Sequence, residues 1–239
     1  VTTDRSLPCE DPVAQELTLV IKGGDSERLG AMLGSDPGLA TCLVMEDGGG
    51  RTPLHLLADA PGGRPRCRDT VSLLAAAGAD LNAPAVGMWH VEAPLHWAAS
   101  NDDVDLIDAL LDAGADIECP GSSIGDGPPI QSAIGYGQWH AVRRLHERGA
   151  QTPLSGLAIL GLTEEVEEAL GREGLDRDAM SVALWNACRV GDIVIARLLV
   201  DAGADPAWPS PWSGETPLDI ARSAGQEHLI PWLASRLAS

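Results

Sequence analysis

Two short phrases recur along this chain, and their recurrence narrows its possible folds more than any other feature. Thr52-Pro53-Leu54-His55 returns as Ala93-Pro94-Leu95-His96 and as Thr216-Pro217-Leu218-Asp219, with Pro128-Pro129-Ile130-Gln131 as a weaker copy. A second phrase ends Ala77-Gly78-Ala79-Asp80, Ala113-Gly114-Ala115-Asp116, Arg148-Gly149-Ala150-Gln151 and Ala202-Gly203-Ala204-Asp205. Each phrase predicts one helix. Thr52 is suited to cap a helix by accepting from a free backbone amide, and Pro53 suits the first helical position, where no N–H is needed. Leu106, Ile107, Leu110 and Leu111 line one helical face, as do Ile195, Ala196, Leu199 and Val200. Gly114 and Gly203 then supply the left-handed residue that ends a helix. One helix pair cannot bury its own apolar face, so neighbouring pairs must stack.

The T-P-L-H phrase followed by a late G-A-D phrase resembles the ankyrin repeat. Asp47, Gly50 and Thr52 also keep the D-x-x-G-x-T spacing of that family's turn before helix one. The resemblance implies an all-α ankyrin-repeat solenoid of about seven helix pairs with short β-hairpin fingers. Units are expected to begin near residues 15, 52, 93, 128, 153, 182 and 216, making residues 1–239 a single repeat domain. Two departures stand out. Ala60 to Arg68 adds a Gly-, Pro- and Arg-rich stretch that reads as an extended loop, and the step from Pro128 to Pro153 is short enough that one finger is expected to be missing near residues 149–153. Leu154 to Gly174 keeps a helical pattern without the repeat wording, with Ser155 or Thr152 as its expected cap.

Composition bounds the partners. Thirty-five acidic residues against 16 basic ones give a net charge of −19, and Lys22 is the lone lysine. Such a chain lacks the cations that replace counterions on nucleic acid, and an anionic membrane surface repels it. No apolar run is long enough to span a bilayer, and Val1 to Pro12 lacks the basic-then-apolar order of a signal peptide, so the expected location is cytoplasmic. Five dispersed cysteines (Cys9, Cys42, Cys67, Cys119, Cys188) fit idle thiols in a reducing compartment. No zinc spacing, nucleotide loop or hydrolase motif is present, so no metal, no cofactor and no catalytic residue is assigned. Asp102, Asp103 and the run Glu164 to Glu168 read as solvated charges at helix N-termini.

The resemblance implies a concave face of finger tips and first helices, where ankyrin proteins commonly bind other proteins. Residues outside the repeat grammar are the contact candidates there. Trp89, Trp208 and Trp212 fall in finger segments and Trp97 follows a motif histidine, in a chain with seven tryptophans and no phenylalanine. Trp139, Trp185 and Trp232 lie in helical phrases and read as core or end caps, Trp185 filling the space of a motif histidine. His55 and His96 are the motif histidines, which in this family tie neighbouring turns together. His90 and Glu92 share one side of an extended segment and form the one acid–base candidate. Asn101 completes the set along this face. The missing finger suggests an alternative, a pocket floored by Tyr136 and Asn186 at surface positions, with Glu118, Asp126 and His90 as polar contacts. The expected partner is therefore a protein with a basic or neutral patch. A small-molecule binder or atypical enzyme using a Trp, His and acid-lined pocket is the alternative.

Overall fold

The computed structural model describes residues 5–87, 91–172 and 174–237. It divides into two compact units, Val1–Gln151 and Thr152–Ser239.

In the first unit, first helices form one row and second helices another. The first row is α1 (Pro12–Gly23), α3 (Pro53–Ala58), α5 (Pro94–Ser100) and α7 (Pro129–Tyr136), each packing on the next. The second row is α2 (Ser26–Ser35), α4 (Cys67–Ala76), α6 (Val104–Asp112) and α8 (Trp139–Glu147). The core lies between the rows, where Leu17, Leu54, Leu95 and Ile130 of the first row and Leu29, Leu74, Leu106 and Leu110 of the second are fully buried. Each such side chain contributes about 1.5–3 kcal/mol of burial free energy. The second unit repeats the plan with α9 (Leu154–Leu160), α11 (Arg177–Val190) and α13 (Pro217–Ser223) beside α10 (Thr163–Leu170), α12 (Ile193–Asp201) and α14 (Ile230–Leu237).

Helix starts follow the cap chemistry, with two shifts from the expected unit starts. Thr52 and Thr216 cap α3 and α13 by accepting from the amides of His55 and Asp219. The first unit starts at Asp11-Pro12 rather than at Gln15, because Asp11 accepts from the Val13 amide and does the work of the threonine. Helix α11 begins at Arg177, more than a turn before Val182, with Asp176 at its extended N-cap position. Helix α9 is preceded by Pro153, and no side-chain cap bond forms there. Residues Arg148 to Pro153 connect α8 to α9 without a strand, as the short spacing implies. Leu106, Ile107, Leu110, Ile195, Ala196 and Leu199 are buried as their spacing predicts.

The fingers differ from expectation. Only the first forms a ladder among the described residues. Strands β2 (Leu43–Glu46) and β3 (Gly49–Arg51) pair antiparallel around Asp47-Gly48, both at positive φ, the two-residue turn whose twist suits a hairpin. An unanticipated strand, β1 (Ser6–Pro8), adds parallel to β2 with Ser6 opposite Leu43. Gly50 bridges to Val86 in the next finger. The fingers at residues 116–128 and 205–216 are turns. Pro120, Pro206, Pro209 and Pro211 withhold the amides that a ladder needs.

The insertion is a folded loop, and its last residues, Cys67 and Arg68, already belong to α4. The Gly63 amide donates to Asp103 at 2.6 Å, and the Arg64 guanidinium donates to the carbonyls of Asp59 and Ala60. Pro65 closes over Gly24, which has φ +69°, so closely that a Cβ there would lie 2.3 Å from the Pro65 carbonyl oxygen. A Cβ at the neighbouring Gly23 meets nothing within 4 Å. Gly24→Ala is therefore expected to destabilise the protein by about 2 kcal/mol or more through strain and clash. Gly23→Ala should be neutral or stabilising by about 0.5 kcal/mol. Urea unfolding of the two variants checks this; equal effects would show that Pro65 moves away freely.

Candidate functional site

Each unit presents a distinct surface on its finger and first-helix side. In the first unit a groove of about 550 Å³ lies between α1 and the β2–β3 hairpin, lined by Gln15, Thr18, Leu19, Lys22, Arg51 and Asp59 among others. Lys22 Nζ donates to Asp59 at 2.7 Å, Arg51 stands 3.6 Å from the same carboxylate, and Arg51 also pairs with Glu46. Leu19 is 74% exposed at its rim. Little in the sequence marks this groove. Its signals were the lone lysine and a leucine off the buried stripe of α1.

In the second unit three indoles meet. Trp185, on α11, lies edge-on to Trp212 with ring centroids 5.4 Å apart, and Trp212 lies edge-on to Trp208 at 5.8 Å. Trp185 is buried, Trp208 is half-buried and Trp212 is 57% exposed. The finger carrying the last two is braced from within. The buried Ser210 donates its amide to the Glu215 carbonyl, its own carbonyl accepts from Gly214, and its hydroxyl contacts that of Ser213 at 2.6 Å.

The motif side chains act as ties between successive repeats. His55 is fully buried, and its Nδ1 meets the Thr52 hydroxyl at 2.8 Å while Nε2 meets the Glu92 carbonyl at 2.9 Å. A carbonyl only accepts, so Nε2 carries the proton and the Thr52 hydroxyl donates to Nδ1. His96 accepts the Ala93 amide on Nδ1 and reaches the Gly127 carbonyl from Nε2 at 3.2 Å. Burial pushes the pKa of His55 down to about 4 and lowers that of His96. Trp185 does more than fill space, since its indole N–H donates to the Glu215 carbonyl at 3.1 Å. Glu92, Gly127 and Glu215 each immediately precede the cap residue of the next first helix, so the indole takes over the histidine's bond.

Several polar contact candidates prove to be ties as well. Glu92 accepts the Ser123 amide at 2.8 Å, Glu118 accepts the Gln151 amide at 2.7 Å, and the Asn101 side chain donates to the Ala58 carbonyl at 2.8 Å. Asn186 is buried at 4% exposure with its amide donating to Val182 one turn back, so it does not occupy the surface position assigned to it. Tyr136 is exposed in the first unit, its hydroxyl 3.3 Å from that of Ser123, and Asp126 is exposed at positive φ in the same finger. Trp97 is half-buried with its ring edge-on to His55 at 5.0 Å. Trp89 and His90 lie outside the described residues, so the His90–Glu92 pair has no geometry here. Asp103 is buried and caps α6, while Asp102 accepts from the Ala141 amide and thereby caps α8. Neither is the freely solvated charge expected.

All five cysteines are free thiols, with Cys42, Cys67 and Cys188 buried. Burial raises the pKa of Cys42 to about 11 and that of Cys188 to about 12. Brief iodoacetamide treatment of the native protein should therefore modify Cys9 and Cys119 and spare the other three. Peptide mass spectrometry that found Cys188 modified first would contradict this placement. Among the described residues no His, Cys, Asp and Glu group is arranged to hold a metal, and no helix is long and apolar enough to cross a membrane.

Paired rows of helices with a recurring side-chain bond into the next turn define a helical repeat protein. Residues 17–121 match the family model for ankyrin repeats, in three copies. Among solved structures, the chain is similar to the human ASB11 ankyrin repeat domain. That likeness has 19% sequence identity and a TM-score of 0.56, over 91% of this chain and 96% of that one. No curated protein matches. Residues 17–121 thus carry ankyrin repeats, and the chain as a whole shares the fold of an ankyrin repeat domain.

Proposed function

We propose that this chain is a protein-binding module whose contacts are made by finger and first-helix side chains outside the repeat grammar. Ankyrin repeats generally serve as protein–protein interaction modules. The observation that carries the proposal is where apolar surface is left exposed. Among the described residues, the exposed large hydrophobics are Val13, Leu19 and Tyr136 on first helices and Val86, Val91, Ile124 and Trp212 in finger segments. Only Val194 and Leu237 lie on second helices. Isolated exposed apolar side chains are ordinary, but the bias of the first unit, where all six lie on fingers and first helices, marks a surface kept for contact. A net charge of −19 favours a partner with a basic or neutral patch, because it speeds encounter with cations and penalises acidic competitors. Both units are taken as parts of one binding module. Five free thiols suit a reducing compartment, so the proposed setting is the cytoplasm.

A small-molecule site built from the polar candidates finds less support, since Glu92, Asn101, Glu118 and Asn186 already spend their side chains on internal bonds. Native mass spectrometry of the protein isolated from its own host tests the proposal. A bound protein should be present and should be lost on Leu19→Ser or Trp212→Ser while Val194→Ser retains it. A complex sensitive only to Val194→Ser would place binding on the opposite side, and a bound small molecule alone would favour the alternative.

A further inference from the structure

We propose that Trp212, backed by Trp208 and Trp185, receives an arginine side chain from the protein partner; this deepens, and rests on, the protein-binding function proposed above. An indole that is 57% exposed yet held edge-on against two others is a platform rather than a loose side chain. Its finger is fixed by the Ser210 bonds, and the Trp208 backbone amide is itself anchored to the Asp205 carbonyl at 3.1 Å. Little ordering entropy therefore remains to be lost when a partner lands.

The chemistry of the ligand follows from what the cluster already holds and from charge. The Arg189 guanidinium sits 5.7 Å from the centroid of the Trp185 ring, so one member of the cluster takes a guanidinium within this chain. Trp212 offers the same kind of ring to solvent. The two ends of the finger carry carboxylates, Asp205 and Glu215. Among the described residues the Glu215 carboxylate accepts a 3.3 Å bond from the Ser223 hydroxyl, and Asp205 accepts the Ala207 amide and stands 3.8 Å from Arg177. A carboxylate has about four acceptor sites, so each retains capacity for another donor. A planar, weakly hydrated guanidinium can lie on an indole and still donate sideways to a carboxylate, whereas a lysine ammonium is more strongly hydrated and stacks less well. The overall acidity of the chain disfavours an acidic segment at the same place.

The test uses the full chain and three end-blocked octapeptides of alternating Gly-Arg, Gly-Lys and Gly-Glu, followed by calorimetry and tryptophan fluorescence. The Gly-Arg peptide should bind saturably and more tightly than Gly-Lys, with no binding of Gly-Glu. Trp212→Leu keeps apolar area but removes the π face, and should weaken Gly-Arg binding by about fivefold or more, while Val194→Ala leaves it unchanged. Undiminished binding by the Trp212→Leu protein, equal binding of the lysine peptide, or no binding of the arginine peptide to the wild type would overturn the proposal. A randomised peptide library selected on the same protein separates this proposal from its foundation. Selected peptides that need Trp212 but lack arginine overturn the arginine assignment and leave protein binding standing. A library yielding no binder on the finger side removes both.

Discussion

Lowering the pH from about 7.5 to about 5 is expected to cost this protein about 2 kcal/mol of stability through His55 alone. The imidazole is fully buried, spends Nε2–H on the Glu92 carbonyl and uses Nδ1 as an acceptor, so the folded state has no place for a second ring proton. Its pKa is about 4 folded against 6.5 for the free side chain. The unfolded chain therefore binds a proton that the folded chain refuses, and stability falls with pH between those two values. It is fully present above about pH 6.5, falls progressively to about pH 4, and is then lower by about 3 kcal/mol. His96, lowered for the same reason, adds in the same direction. Asp112 and Asp219, whose pKa values are lowered by hydrogen bonds from Arg68 and Thr216, lose their contribution only below the usual carboxylate range and so do not obscure this window. Urea unfolding at several pH values, with His55→Gln beside the wild type, makes the measurement. The variant should be less stable at neutral pH and much flatter with pH. An unchanged slope would mean that the buried ring is not the acid-sensitive group.

That histidine also shows where a sequence is easily read and where it is not. The roles of Thr52, Pro53 and Gly114 are local: a cap, a first helical residue and a left-handed terminus. Each was legible because its cause lies within four residues of itself. The ties that hold one repeat to the next span thirty residues or more and leave no local trace. Glu118 looked like a free carboxylate, yet it occupies the place that Asn82 occupies one repeat earlier. Asn82 accepts the Asp116 amide and Glu118 the Gln151 amide. Aligning the two copies beyond the Gly-Ala-Asp phrase would have assigned both. Asn101 belongs to a similar series, with Asn101 donating to Ala58, Gln138 to Ser100 and Gln226 to Arg189, each near the end of a preceding first helix. Strand β1 left no such pattern. Three residues ending in proline carry no alternation, and only the exposed edge of β2 makes a strand of them.

Trp185→Ala is expected to have the largest effect of any single substitution in the second unit, about 3–5 kcal/mol, because it empties a nearly sealed site at 5% exposure. It also removes the ring under Arg189 and the edge contact that steadies Trp212. Two further variants separate volume from hydrogen bonding. Trp185→Phe retains most of the apolar volume but leaves the Glu215 carbonyl with the Ser210 amide as its one remaining donor, a loss of about 0.5–1.5 kcal/mol. Trp185→His installs the residue that stands at this place as His55 and His96 in two earlier repeats and keeps an N–H, while losing more volume. If the bond to the carbonyl before the next helix is what the position is for, the histidine variant should be at least as stable as the phenylalanine variant near pH 7.5. It should also acquire the acid sensitivity of His55, losing stability below about pH 6.5, because the same carbonyl and the same burial would hold the new ring neutral. Urea unfolding followed by circular dichroism gives both comparisons. A histidine variant that is much weaker than phenylalanine and flat with pH would show that the indole is there to fill space, and that the Ser210 amide alone satisfies the Glu215 carbonyl.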